Sequence, residues 1–142
     1  MSTTDPTPAP AARVAEHVGR VALGLALVGA GIGHLTTLRE EFRAQVPSWV
    51  PLEEDLVVVG SGVVEVALGT AYVVLPRHRR LLGGLLAAFF VAIFPGNVAQ
   101  WVEGVDAFGL DTDAKRLARL PFQPLLVLWA LWGGGWLRRR GA

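Results

Sequence analysis

The 142-residue sequence contains no cysteine. That one absence excludes disulfides, thiol redox relays, cysteine-held iron–sulfur clusters and cysteine-ligated zinc. Histidine is scarce: His17, His34 and His78 are the only three, so a multi-histidine metal cage is not expected. A bis-histidine haem would need two opposed histidines inside apolar segments, and only His34 lies in one. Charge is thin as well, at 18% of residues against about 25% in a soluble domain. The net charge of +1 supplies no field that would attract nucleic acid. In place of charge there is hydrocarbon: 52% of residues are hydrophobic and the mean hydropathy is +0.45.

The apolar residues fall into four segments, at about 18–38, 56–75, 81–102 and 117–137. Each is roughly 20 residues, which at ~1.5 Å per residue gives about 30 Å, the thickness of a bilayer's hydrocarbon core. Backbone groups in lipid must be satisfied within their own segment, so the segments are predicted to be helices. The expected fold is all-α: a four-helix antiparallel transmembrane bundle forming one domain over residues 15–142. A water-soluble bundle is disfavoured because no amphipathic shell remains to face water. Residues 1–14, opened by a Pro-, Thr- and Ala-rich run, read as a disordered tail. The first apolar segment is too long and too glycine-rich for a cleaved signal and is expected to be retained.

Basic residues set the expected orientation. Arg13, Arg20, Arg77, Arg79, Arg80 and Arg138–Arg140 lie on one side. Arg39, Arg43, Lys115, Arg116 and Arg119, diluted by nine acidic residues, lie on the other. The positive-inside rule then places both termini in the cytoplasm. Leu38, Phe42, Val46 and Trp49 recur at helical spacing, so a short interfacial helix is expected in the first outer loop, interrupted by Pro47 and Pro51. Trp49, Trp101 and Trp136 suit membrane-surface anchoring. Trp129 and Trp132 are expected to pack against lipid or another protomer.

The polar residues inside these segments form the candidate site. An ionisable group near the bilayer centre costs about 2.5–3.5 kcal/mol on insertion scales, and Glu65 sits nine residues into its segment. Gly62, Glu65, Gly69 and Tyr72 share one helical face, and Gly24, Leu27, Gly31 and His34 form a matching stripe on the first helix. The glycines allow close helix approach. The third helix contributes Asn97 and Gln100, and the fourth Gln123. Pro95 should leave the carbonyl of Val91 in need of another donor. The cluster of His34, Glu65, Tyr72, Asn97, Gln100 and Gln123 is open to two readings. It is a hydrogen-bonded knot that fixes packing, or it is a site for a polar or quinone-like ligand or a proton step.

Three elements together resemble the DoxX-like family of small bacterial membrane proteins. They are Gly31-Ile32-Gly33-His34 with Phe42 and Val46-Pro47-Ser48-Trp49-Val50-Pro51, then Ser61-Gly62-Val63-Val64-Glu65 with Gly69 and Leu75-Pro76-Arg77, and then Phe94-Pro95-Gly96-Asn97. The resemblance runs from about Gly24 to Trp136. It implies a multi-pass four-helix bundle in the bacterial plasma membrane, with His34, Glu65 and Asn97 at the matching polar positions. It also implies association with quinone-linked oxidation, without assigning a catalytic residue. Three functions are therefore expected candidates. The first is a membrane subunit or anchor of an oxidoreductase assembly, with quinone as the ligand and no intrinsic cofactor, because the residues themselves carry no redox group. The second is a small carrier or proton pathway using Glu65 in a homo-oligomer. The third is a structural membrane protein whose only partner is the lipid bilayer.

Overall fold

A computed structural model of the protein describes residues 9–44 and 46–137. Among these residues every regular element is helical: α1 Pro10–Leu35, α2 Arg39–Arg43, α3 Glu54–Val74, a 3-10 turn Pro76–His78, α4 Arg79–Glu103, α5 Asp113–Arg119 and α6 Phe122–Gly133. Three helices, α1, α3 and α4 with its preceding turn, are long and apolar enough to cross a membrane. α1 begins at Pro10, within the stretch 1–14 read from the sequence as a tail, so residues 10–14 are helical. A proline in the first turn lacks only an N–H that would have had no helical partner. Residues 1–8, and the Arg138–Arg140 run counted toward orientation, lie outside the described residues.

The helix expected over 117–137 is divided. Pro121 cannot donate to Leu117, and Leu120 N–H does so instead at 3.1 Å. Pro124 cannot donate to Leu120, and Gln123 N–H takes that place at 3.3 Å. Leu120 and Pro121 keep right-handed helical dihedrals, so α5 and α6 run on with a break in bonding but no reversal. At the far end Gly135, at φ 80°, stops the helix. Trp136 N–H bonds to Leu131 and Gly135 N–H to Trp132, the pair of bonds that closes a helix over a left-handed glycine. α6 therefore has 12 residues, about 18 Å at ~1.5 Å each.

Two tight antiparallel pairs make the bundle, α1 with α3 and α4 with α6, while α3 and α4 touch much less. The first pair meets on the two stripes read from the sequence. A Cβ at Gly24 would lie 2.8 Å from the Gly69 carbonyl, and one at Gly31 would lie 2.9 Å from that of Gly62. In the second pair a Cβ at Gly83 would meet the Ala130 carbonyl at 2.7 Å. The pairs join around Leu23, Leu27, Tyr72, Leu86, Phe90 and Ala130. Trp129 and Trp132 do not turn away from the bundle. Trp129 Nε1 donates to the Gly19 carbonyl at 2.9 Å, and the Trp132 ring lies over Gly19.

Candidate functional site

Between α1, α3, α4 and α6, under a strap made of residues 39–44 and 46–51, lies a cavity of about 450 Å³. Its polar wall consists of His34, Ser61, Glu65, Asn97, Arg119 and Gln123, and its floor of Leu23, Leu27, Phe90 and Leu126. Phe42, Val46 and Trp49 from the strap line the top. Three contacts hold the strap in place. Arg39 forks onto the Asp55 carboxylate, with Nε at 2.6 Å. Ser48 Oγ donates to Glu103 at 2.6 Å, and the Phe108 N–H donates to Glu41 at 2.8 Å. The Asp55 carboxylate raises the pKa of the Arg39 guanidinium.

His34 and Glu65 are 7% and 5% exposed. His34 Nδ1 lies 2.6 Å from a Glu65 oxygen. The two atoms form a buried ion-pair contact, and neither has another hydrogen-bond partner. The Phe42 ring stacks on the imidazole with centroids 3.4 Å apart, shielding the pair from the α2 end of the bundle. The glycine stripes explain the pairing. The Gly31–Gly62 contact brings the axes close enough for a short histidine to reach a carboxylate on the next helix.

The opposite wall is a chain of amides. Asn97 Nδ2 donates to Gln123 Oε1 at 3.1 Å, and Gln123 Nε2 donates to the Phe90 carbonyl at 2.8 Å. The sequence expectation had a donor meeting the carbonyl of Val91; the amide of Gln123 instead meets its neighbour, Phe90. Gln100 stands behind this wall and does not line the cavity. Its Nε2 donates to Val105 and Ala107 carbonyls, at 3.2 and 3.3 Å, and its Oε1 accepts from Arg119 at 3.1 Å. The Arg119 guanidinium lies 5.2 Å from the centre of the Phe108 ring.

Tyr72 does not belong to this cavity. Its hydroxyl donates to the Ala130 carbonyl at 2.7 Å, near the opposite end of the bundle. Arg20 is its neighbour there. Read from the sequence as a surface charge, Arg20 is only 1% exposed. It donates to the carbonyls of Tyr72 and Val73, the latter at 2.9 Å, and touches His17 Nδ1 at 2.7 Å. Those carbonyls end α3, where the helix has no N–H left to satisfy them. Arg20 therefore closes a helix end from 52 residues away.

Of the six residues expected at the site, the fold brings four to one cavity: His34, Glu65, Asn97 and Gln123. Sequence reasoning missed Arg119, counting it among the loop charges. A signal existed, because Arg116, Arg119 and Gln123 follow i, i+3, i+7 spacing across the proline break. Arg20 also lay on a visible stripe, one turn before Gly24. Among the described residues no three of His, Asp and Glu gather closely enough to hold a metal ion.

These features define a class: a small all-helical protein, built on three helices able to cross a membrane, with a polar-walled cavity between them. The chain belongs to the family described as domain of unknown function DUF8561, whose sequence model matches residues 23–133. That stretch contains the whole cavity lining. No curated protein and no solved structure matches the chain.

Proposed function

We propose that the protein is a four-span, DoxX-like protein of the bacterial plasma membrane, with both termini cytoplasmic, that serves as a membrane subunit or anchor of a redox assembly and holds a quinone in its cavity. The observation that carries this reading is a cavity of about 450 Å³, apolar on its floor and polar on its wall, with the buried His34–Glu65 pair in that wall. Such sites bury an apolar body and fix it with a few well-placed polar groups. A fourth crossing is supported by the absence of any charged residue over 120–137.

The residues fit a ring bearing acceptor oxygens. Arg119 and Asn97 bring N–H groups to the wall, the Ser61 hydroxyl donates to the Val58 carbonyl at 3.0 Å, and Phe42 and Phe90 offer flat apolar walls. A bound quinone would supply two-electron, two-proton chemistry, with electrons coming from a partner protein. The pair at His34 Nδ1 and Glu65 Oε2 would hold a proton beside the ring. Its closeness also favours the rival proton pathway in a homo-oligomer. Proton flux into proteoliposomes that is unchanged in Glu65→Gln would remove that rival.

The decisive experiment is purification in mild detergent, followed by mass spectrometry of extracted lipids and partner proteins. The expected result is a retained quinone and an oxidoreductase partner. Added quinone should quench tryptophan emission, because Trp49 lines the cavity, and Gln123→Leu should weaken the quench. A ligand-free protein, with emission indifferent to quinone, would defeat the proposal.

A further inference from the structure

The cavity adjoins a groove on the bundle's outer face, the two sharing wall residues. Along the α3–α4 seam a furrow of about 510 Å³ runs between Val64 and Ala67 of α3 and Leu85, Ala88 and Ala92 of α4, with Phe89 at its edge. Its surface is almost wholly apolar, with small side chains at its base. Phe89 and Ala92 line both this furrow and the cavity. A comparable furrow on the α1–α3 side, walled by Leu35, Val63 and Thr70, shares no residue with the cavity. The furrow beside the cavity exists because α3 and α4 are the loosely joined neighbours between two tight pairs.

We infer that the ligand is a quinone with a long alkyl or isoprenoid chain, whose ring occupies the cavity and whose chain leaves between α3 and α4 past Phe89 to lie in this furrow. The inference rests on the quinone reading of the cavity. From Ala92 to Leu85 the furrow follows two helical turns, about 10 Å, toward the end of the bundle remote from the strap. Phe89 is half-buried and Ala92 exposed, and both side chains belong to the wall that the two spaces share. Moving an alkyl chain from lipid into an apolar furrow gains little, because the tails are as apolar as the wall. The furrow therefore sets direction and route of access, and the ligand arrives sideways from the bilayer. It does not descend through the strap, which Arg39, Glu41 and Ser48 tie down.

Affinity is a poor readout of such a furrow, and position is a good one. Two photoactivatable quinones would be used with the full chain in liposomes, one carrying a diazirine on the ring and the other carrying it midway along the chain. Labelled residues are mapped by mass spectrometry. The ring probe should label around Phe90 and Asn97, and the chain probe around 64–68 and 85–92. Unlabelled quinone at about ten times its Kd should reduce both labels about tenfold. Chain labelling spread over α1 and α6 and indifferent to competitor, with ring labelling competed, would overturn this inference and leave the cavity reading intact. Ring labelling that competitor does not reduce would overturn the cavity reading, and the inference with it. Ala88→Phe, at an exposed position on the furrow, should abolish chain labelling in the furrow while ring labelling persists. Unchanged furrow labelling in that variant would also overturn it.

Discussion

Replacing Gly24 by alanine adds one methyl group and should loosen the whole protein. A Cβ at Gly24 would stand 2.8 Å from the Gly69 carbonyl oxygen, where ordinary contact begins at 3.4 Å. Val73 Cγ2 would be closer still, at 2.5 Å, and can turn aside, but the carbonyl is backbone of α3, so no rotamer change relieves that contact. The helices must move apart by about 0.6 Å, which already forfeits roughly a quarter of the attraction along the contact line. The same displacement draws Gly31 away from Gly62 and stretches the contact between His34 and Glu65. Overpacking of this kind costs about 1–3 kcal/mol, or about 5- to 150-fold in the ratio of folded to unfolded protein. Gly29 is the control. It lies in the same helix, and a Cβ there meets nothing within 4 Å, so Gly29→Ala should be neutral or stabilising by up to about 1 kcal/mol through helix propensity. Both variants can be titrated with denaturing detergent in mixed micelles, following far-UV circular dichroism and tryptophan emission. Equal midpoints for Gly24→Ala and Gly29→Ala would refute close glycine contact as the link between α1 and α3.

Arg20→Met should destabilise by about 1.5–3 kcal/mol, because it removes charged hydrogen bonds from the end of α3; thermal unfolding of that variant matching the wild type would contradict this. Trp129→Phe should cost about 0.5–1.5 kcal/mol through the lost bond to Gly19, and an unchanged unfolding midpoint would dismiss that bond. The hydrogen bond from Lys115 holds the Asp111 carboxyl below its ordinary pKa. A depressed carboxylate stabilises the fold above its unfolded pKa, and that contribution fades as pH falls through the folded value. An NMR titration should show the Asp111 midpoint rising toward the ordinary carboxylate range in Lys115→Ala; an unmoved midpoint would show that the contact is not formed.

Much of the candidate site was legible because buried stripes repeat along a helix every three or four residues. Gly24, Leu27, Gly31 and His34, and Gly62, Glu65, Gly69 and Tyr72, could be read as two faces, and all eight are buried. Depth along the bundle was harder to read. Tyr72 shares a face with Glu65 but lies two turns away, so it serves the other end and bonds to Ala130. Gln100 shares a helix with Asn97, yet its amide faces the 105–107 carbonyls. Charge was read least well. A sliding count treats every arginine near a helix end as solvated, which missed Arg20 on the α3 carbonyls and Arg119 in the cavity wall.

The sequence by itself determined a helical chain with long segments apolar enough for lipid, and which face of the first helices carries small and polar residues; it read four such segments, where the structure shows three helices long and apolar enough to cross. These are local properties, set by composition and a period of 3.6 residues. Only the tertiary structure decided that His34 meets Glu65, that Gln123 joins Asn97, and that α3 and α4 stand apart enough to leave a cavity and a furrow. Such pairings depend on how far one helix is shifted along another. That shift is fixed by where glycine lets two backbones touch, a condition that involves two distant stretches of chain at once.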